Sequence, residues 1–233
     1  MTADHRKTAL YKGTQRMFFT PGTHKNAGLL YNPFKALISP RPIGWISSCD
    51  ENGTANLAPY SFFNAVSELP PMVMFVSAPD ARKDAKRQSD DGHAPKDSLH
   101  NIRQTGEFGV NIVSEAQRTA MVVSSEAVSA ERDEFTIAGL SKKQAQTITA
   151  PLVAGAPAHL ECRLHDMISL PGTDERAGCI MVIGLVTGIH IEDTIIENGK
   201  VDVEKYRPIA RLGYKDYTTI SDVYELESNA AQR

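Results

Sequence analysis

The feature that most constrains the fold is a strand–turn–strand run near residues 42–63. The segment 42–49 reads PIGWISSC, the turn signal DENG fills 50–53, and TANLAPYSFF follows. An Asn-Gly pair between two stretches rich in β-branched and aromatic residues is a strong hairpin signal. The sequence therefore predicts two neighbouring antiparallel strands at this point of the chain.

Several later segments also have the pattern of strands. The run 72–77 is continuously apolar, as in a strand that is covered on both faces, and 108–113 alternates apolar and polar residues. The long β-branched run 178–191 contains Gly184 and Gly188, at which we expect bends or bulges. These runs predict that the chain is mainly β.

The segment 159–167 alternates as a half-buried strand does. This pattern predicts one set of side chains that points inward and another that points to solvent. The expected inward set is Leu160, Cys162 and Leu164, and the expected outward set is His159, Glu161, Arg163 and His165.

Only two helices are indicated by the sequence. SLHNIRQTG ends at Gly106, and Ser114-x-x-Gln117 has the pattern of a capping box at the start of a helix that reaches about residue 124. The segment 125–157 is polar and irregular, apart from EFTIAGL, which has the pattern of a short extended piece. Short strands between turn signals, with few helices, favour a closed antiparallel barrel over a doubly wound sheet.

Composition excludes several classes of function. The net charge is −3, so no positive field would recruit nucleic acid. There is no apolar run of about 18 residues that could span a membrane, and the N-terminus lacks the apolar core of a signal peptide. We therefore expect a cytoplasmic protein that binds neither nucleic acid nor a membrane.

Metal and disulfide chemistry are not indicated. Cys49, Cys162 and Cys179 are odd in number and widely spaced, without a CxxC pair, and the seven histidines are scattered. We expect free cysteines and no metal site. The motifs of dinucleotide-binding folds, phosphate-binding loops, serine hydrolases and zinc proteases are also missing, so no acid–base or nucleophile set is identified.

What remains is a candidate binding surface in NLAPYSFF. Because Pro59 cannot donate to a ladder, we expect the backbone to leave its neighbour around 57–60 and to expose polar groups. A planar heterocycle would supply partners for these groups, with Asn56, Ser61 and Phe62 completing the pocket. The alternative is a bulged edge strand that packs its aromatic side chains into a core.

A second candidate site is Lys96-Asp97-Ser98, at the start of the first predicted helix. A helix N-terminus offers unpaired amide groups and a partial positive charge, and the ammonium group of Lys96 adds to that charge. Such a site can hold a phosphate, whereas the alternative is simple capping by Asp97 or Ser98. Together the two segments indicate a phosphorylated aromatic cofactor.

The order of these motifs resembles the flavin-reductase-like family, which has the FMN-binding split-barrel fold. The similarity rests on RPIGW, NLAPYSFFN, the following PP, KDSxxNI and TGEF, and it extends over about residues 30–220 through APAHLECRL and RPIARLGYKDY. The resemblance implies a homodimer of six-stranded antiparallel Greek-key split barrels with short flanking helices. Residues 1–29 would then be an N-terminal arm and 221–233 a C-terminal tail.

The resemblance also implies which residues hold FMN, or FAD in its place. Those expected along the isoalloxazine ring and the ribityl chain are Asn56, Leu57, Ala58, Ser61 and Phe62. Those expected around the ribityl phosphate are Ser77, Lys96, Asp97, Ser98 and Asn101. Arg41 and Arg211 are expected to contact flavin or nicotinamide, with pairing across the dimer as an alternative role for Arg211.

The activity that the family implies is NAD(P)H-dependent flavin reduction, with reduced flavin passed to a partner monooxygenase. One alternative is an FMN-bearing electron carrier that is reduced by a redox partner protein and has no NAD(P)H site of its own. Another is an interaction module that has lost its cofactor. The charged stretch 79–97 is longer than the family usually carries. Its basic residues Arg82, Lys83, Lys86 and Arg87 either steer the NAD(P)H phosphates or solvate a loop.

Overall fold

The computed structural model describes residues 16–79, 96–126, 128–129, 132–173 and 178–226. Most of its regular structure is β. The strands are β1 (Arg41–Pro42), β2 (Gly44–Cys49), β3 (Ala55–Tyr60), β4 (Phe63–Glu68), β5 (Pro71–Ser77), β6 (Glu107–Ile112), β7 (Lys142–Lys143), β8 (Leu152–Val153), β9 (Ala158–Ser169), β10 (Ile180–Ile191), β11 (Ile196–Glu197), β12 (Lys200–Val201), β13 (Ile209–Arg211) and β14 (Tyr217–Thr219).

The helices are short and connect the strands. They are α1 (Phe34–Leu37), α2 (Asp97–Thr105), α3 (Arg118–Val123), α4 (Glu134–Ile137) and α5 (Val203–Tyr206), with 3-10 turns at Glu115–Gln117 and Asp193–Ile195. The predicted mainly β fold with short flanking helices is confirmed. The charged residues Arg82, Lys83, Lys86 and Arg87 lie outside the described residues.

The predicted hairpin is confirmed, and its turn explains why it forms. β2 and β3 pair antiparallel, with Gly44 opposite Tyr60. The turn closes with the N–H of Gly53 donating to the carbonyl of Asp50 at 3.0 Å, and Gly53 has a φ of +83°. Glycine adopts this left-handed conformation without steric cost.

The main sheet contains seven antiparallel strands in the order β3-β2-β6-β9-β10-β5-β4. All four later segments with a strand pattern belong to it. β4 raises the count from the expected six, because residues 63–68 form a further hairpin with β5. The bends expected in 178–191 are confirmed as register shifts at Gly184 and Gly188. A Cβ on Gly184 would lie 2.3 Å from Cζ of Phe108, so this ring packs directly on the backbone.

Apolar side chains cover both faces of the sheet. Neighbouring residues of β2 point to opposite sides, so that Ile46 packs inside the barrel and Trp45 packs outside it. The inner core includes Ile46, Tyr60, Phe75, Phe108, Cys162 and Val182, and the outer core includes Trp45, Leu57, Met121, Phe135 and Ile209. Cys49, Cys162 and Cys179 are free, as predicted.

The expected solvent exposure is wrong for two residues on the outer face of β9, since both are buried. His159 is 1% exposed and Glu161 is 0% exposed. Segment 141–156 covers this side of the sheet and supplies polar partners, such as the N–H of Gln146, which donates to Oε1 of Glu161 at 2.7 Å. Arg163 and His165 are exposed as expected. Alternation alone does not show that a distant segment covers the second face.

Two further local expectations are wrong. EFTIAGL is not extended but contains α4, because the side chain of Asp133 caps that helix by accepting from the N–H of Phe135 at 2.9 Å. The backbone also does not leave β2 at Pro59, which remains opposite Trp45. β3 is an edge strand, and the N–H of Leu57 points away from β2. Pro59 lies two residues further along and has the same orientation. The N–H that proline lacks would therefore lie on the unpaired side of β3, so no ladder hydrogen bond is lost.

The predicted helices lie where they were expected. α2 ends at Gly106, which has a φ of +71° and donates from its N–H to the carbonyl of Ile102 at 2.9 Å. The segment from Ser114 is a 3-10 turn followed by α3. Ser114 makes no capping hydrogen bond to the backbone and instead lies 3.4 Å from Oε1 of Gln117.

Candidate functional site

A cleft opens where the unpaired edge of β3 meets the start of α2, the end of α3 and α4. The structure therefore brings together the two segments that the sequence marked as candidates. The cleft is lined by Asn56, Ala58, Tyr60, Lys96, Asp97, Ser98, Ser124, Ser125, Glu126, Val128 and Glu134.

β3 contributes alternate residues to the cleft. Asn56, Ala58 and Tyr60 lie on the cleft side, whereas the side chain of Leu57 packs in the outer core. The N–H of Leu57 donates to Oε2 of Glu134 at 3.1 Å. Both the side chain and the N–H of Leu57 therefore already have partners within the protein.

A buried hydrogen-bond network is centred on Asn56. Its Oδ1 accepts from Oγ of Ser98 at 2.6 Å and from Oγ of Ser48 at 3.4 Å. Its Nδ2 donates to Oε1 of Glu134 at 3.1 Å, and Nδ2 of Asn101 donates to Ser48 at 3.3 Å. Three of the predicted cofactor residues, Asn56, Ser98 and Asn101, thus belong to one network that joins β2, β3, α2 and α4.

Glu134 is the buried anion of this network. It is 6% exposed, and both of its oxygens accept a hydrogen bond. Burial raises its pKa above the ordinary value, and the negative charge of Asp97 adds to this shift, while the donors of Leu57 and Asn56 oppose it. Glu134 therefore holds β3 against α4 at some electrostatic cost.

Tyr60 places an unsatisfied polar atom at the cleft. Its hydroxyl is buried beside the side chains of Ser77 and Ser98 but makes no hydrogen bond of good geometry among the described residues. Burial raises the pKa of this phenol, which stays neutral. The ammonium of Lys96 lies 5.6 Å from the centroid of the Tyr60 ring. Buried polar atoms without a partner are rare, and they often mark a ligand position.

The start of α2 lines the cleft. Lys96 is its N-cap residue, and the Lys96 side chain makes no capping hydrogen bond. The hydroxyl of Ser98 donates to Asn56 rather than to the helix. The first-turn amide groups and Lys96 can together attract an anion.

The two predicted arginines are held outside the cleft lining. Arg41 is buried and donates to the carbonyls of Lys35, Ile38 and Leu212, the last at 2.8 Å. Burial, and then the charge of Arg211, lower the pKa of Arg41. Arg41 therefore ties the end of α1 to the segment after β13.

Arg211 is held within its own hairpin. Its guanidinium lies 4.3 Å from the centroid of the Tyr217 ring, donates to the Tyr217 hydroxyl, and donates to the carbonyl of Tyr214 at 2.6 Å. Ser61 and Phe62 lie between β3 and β4, where the Phe62 ring is 5.9 Å from the guanidinium carbon of Arg41. None of these four predicted residues lines the cleft.

Sequence reasoning missed several residues of the cleft. Strand alternation could have identified Tyr60, which shares the face of Asn56 and Ala58. Ser124 could not be found locally, because its Oγ accepts from Nε1 of Trp45 at 2.9 Å across the fold. Glu134 likewise lies 78 positions from its partner Asn56.

The residues that the structure describes contain no group of three or more His, Cys, Asp or Glu side chains placed to hold a metal ion. They also contain no helix that is long and apolar enough to cross a membrane. His5 and His93 lie outside the described residues.

Comparison with known proteins shows the family. A family model described as a flavin reductase like domain matches residues 37–210, so the chain belongs to that family. A protein from Aquifex aeolicus is 37% identical over 189 residues, which cover 81% of this chain and 88% of that protein.

Solved structures agree with this assignment. Nitrilotriacetate monooxygenase component B from Bacillus cereus is 29% identical, with a TM-score of 0.77 over 91% of this chain and 100% of that one. A Shewanella frigidimarina protein with a split barrel domain has a TM-score of 0.70 at 20% identity, over 84% of this chain and 89% of that one, which shows the fold alone. The fold is therefore the split barrel.

Proposed function

We propose that the chain is an FMN-binding, NAD(P)H-dependent flavin reductase that passes reduced flavin to a partner monooxygenase. Membership of the family supports the reductase class, and similarity to a monooxygenase component B supports the partner. The cleft carries the proposal, because the unpaired edge of β3 lies there beside Lys96 and the first turn of α2.

The residues of the cleft fit a flavin mononucleotide in three ways. The first turn of α2 and Lys96 match a phosphate. The small side chain of Ala58 leaves room for a flat ring against β3. The buried hydroxyl of Tyr60 lacks a partner among the described residues, and a polar group of the cofactor would satisfy it.

The carboxylates of the cleft restrict how the cofactor is oriented. Asp97, Glu126 and Glu134 also line it, and their charges oppose that of a phosphate. We therefore place the phosphate at the Lys96 end of the cleft and the neutral sugar and ring along β3 beside Glu134. Ser77 lies next to Tyr60, within reach of the same end of the strand.

The chain contributes binding and orientation. A bound flavin supplies the hydride chemistry, with NADH or NADPH as the hydride source. The unpaired edge of β3 offers backbone groups to a planar ring, but the N–H of Leu57 is not one of them, since it already donates to Glu134. Lys96 holds the phosphate and so fixes the orientation of the ligand in the cleft.

Titration with FMN and with riboflavin, followed by flavin fluorescence, tests the proposed cleft. We expect wild type to bind both, and K96A to bind FMN about tenfold more weakly with riboflavin affinity unchanged, because a charge-assisted contact to the phosphate is lost. K200A, which removes an exposed lysine of β12, is the matched control. Equal FMN affinity for wild type and K96A, or no flavin binding at all, contradicts the proposal.

The proposal extends to a homodimer. Leu30, Phe34 and Leu37 are 80%, 61% and 76% exposed around α1. Such a concentration of large apolar side chains is typical of a surface that a second protein covers, and a second copy of this chain is the occupant we propose. FAD as an alternative flavin and a cytoplasmic location belong to the same proposal.

A further inference from the structure

The hydrogen bonds around Asn56 run in one direction, and Glu134 determines that direction. Both carboxyl oxygens of Glu134 accept hydrogen bonds, Oε2 from the N–H of Leu57 and Oε1 from the side-chain amide of Asn56. The group of Asn56 that lies 3.1 Å from Oε1 of Glu134 is therefore Nδ2. The amide orientation follows, and Oδ1 of Asn56 must face Ser98 and Ser48.

This orientation decides what Ser98 can offer to a ligand. Its Oγ lies 2.6 Å from Oδ1 of Asn56, which is an acceptor, so the hydroxyl hydrogen of Ser98 is already used. Only the lone pairs of Ser98 remain, and Ser98 lines the cleft. A ligand group that meets Ser98 must therefore be a donor.

We propose that Glu134 is a positioning residue that makes Ser98 an acceptor for a hydroxyl group of the ligand. This role rests on the proposed function, and within it Ser98 contacts the ribityl hydroxyls of the flavin rather than the phosphate. An ionised phosphate carries acceptor oxygens, which an acceptor repels. The phosphate is left to Lys96 and the amide groups of α2.

Replacement of Glu134 by glutamine should reverse the hydrogen bonds between Glu134, Asn56 and Ser98, at the loss of the long bond that Ser48 donates to Asn56. The side-chain oxygen of the glutamine accepts from the N–H of Leu57, and its amide nitrogen donates to Asn56 once the Asn56 amide has turned over. Nδ2 of Asn56 then donates to Ser98. The hydroxyl hydrogen of Ser98 becomes free and points to the ligand, so that Ser98 changes from an acceptor to a donor.

The double variant N56D/E134Q restores the original direction. A carboxylate at position 56 accepts from the glutamine and again accepts from Ser98 and Ser48. The net charge equals that of wild type. Comparison of E134Q with the double variant therefore isolates the direction of the hydrogen bonds, as in a double-mutant cycle.

The experiment measures FMN and riboflavin affinity by fluorescence for wild type, E134Q and N56D/E134Q. E134Q should weaken both flavins by the same factor, about fivefold, because a ribityl hydroxyl must rotate to accept from Ser98 and loses the chain of donors that ends at Glu134. The double variant should return to within about twofold of wild type. In an S98A background, E134Q should cause no further loss. E161Q, which alters a buried carboxylate on the other side of the sheet, is the matched control and should leave both affinities unchanged.

The outcomes separate this inference from the proposed function. Three results would contradict the role of Glu134 without contradicting the proposed flavin cleft. They are wild-type affinity of E134Q for both flavins, no recovery of affinity in the double variant, and a loss that is confined to FMN. If wild type binds neither flavin, the proposed function itself is wrong. If E134Q does not fold, two other variants test the role of Glu134. N56D/E134Q must keep its affinity for both flavins, and S98A must lose affinity for both.

Discussion

Glu134 and Glu161 are both buried, yet their pKa values shift in opposite directions. Burial raises the pKa of Glu161, but hydrogen bonds from Thr147, Gln146 and His190 outweigh it and lower the pKa to about 2. Burial also raises the pKa of Glu134, and its two donors do not compensate. Glu161 has more donors than Glu134, and the negative charge of Asp97 raises the pKa of Glu134 further, so the balance of burial, donors and neighbouring charge sets the direction of each shift.

The two carboxylates also differ in what surrounds them. Glu161 lies under segment 141–156 and fastens it to β9, so its partners are structural. Glu134 lines the cleft, and one of its two partners is a side-chain amide that can turn over. We therefore expect that substitution of Glu161 disrupts its hydrogen bonds, whereas substitution of Glu134 is accommodated by rotation of the Asn56 amide.

The largest expected effect comes from glutamine at the two positions. E161Q should lower the free energy of unfolding by about 3 kcal/mol, because either amide orientation sets an NH₂ group against a backbone N–H. E134Q should cost only about 1 kcal/mol, since the Asn56 amide can reorient. Urea unfolding of both variants, with the exposed E197Q as control, measures the difference. Equal losses would break the comparison.

A comparable effect is expected on the dependence of stability on pH. His159 is buried, its Nδ1 lies 2.9 Å from Oδ1 of Asn111, and burial lowers its pKa to about 4. The unfolded chain then binds more protons than the folded chain between about pH 6.5 and 4, so stability falls as pH drops, by up to ~1.4 kcal/mol per pH unit. Glu161 adds a loss of the same sign below about pH 4.5. Glu134, whose pKa is raised, contributes with the opposite sign.

Urea unfolding at several pH values checks this prediction. H159N keeps a donor toward Asn111 but removes the titrating ring, so its stability should vary less than that of wild type between pH 6.5 and 4. Identical curves for wild type and H159N would show that His159 is not the titrating group.

The parts of the fold that were predictable have local signals. Neighbouring residues specify the Asn-Gly turn, in which Gly53 has a φ of +83°, and the bends at Gly184 and Gly188. The burial of His159 and Glu161 was not predictable, because it depends on segment 141–156 folding back over the sheet. The helix in EFTIAGL, by contrast, has a local signal, since the side chain of Asp133 caps it.

The candidate site divides in the same way. Asn56, Ala58 and Ser98 were predicted and line the cleft. Glu134 was not, since a glutamate in a polar segment looks like a solvated charge until the fold brings it to Asn56. The boundaries of the N-terminal arm (1–29) and C-terminal tail (221–233) stay predictions, and the family match at 37–210 lies between them.

The most direct measurement is an anaerobic absorbance spectrum of the FMN-loaded protein before and after addition of NADH or NADPH. We predict that one nucleotide bleaches the flavin band near-stoichiometrically, which is the behaviour of a flavin reductase. A stable yellow protein that neither nucleotide bleaches would contradict the account and would favour an electron carrier that is reduced by another protein.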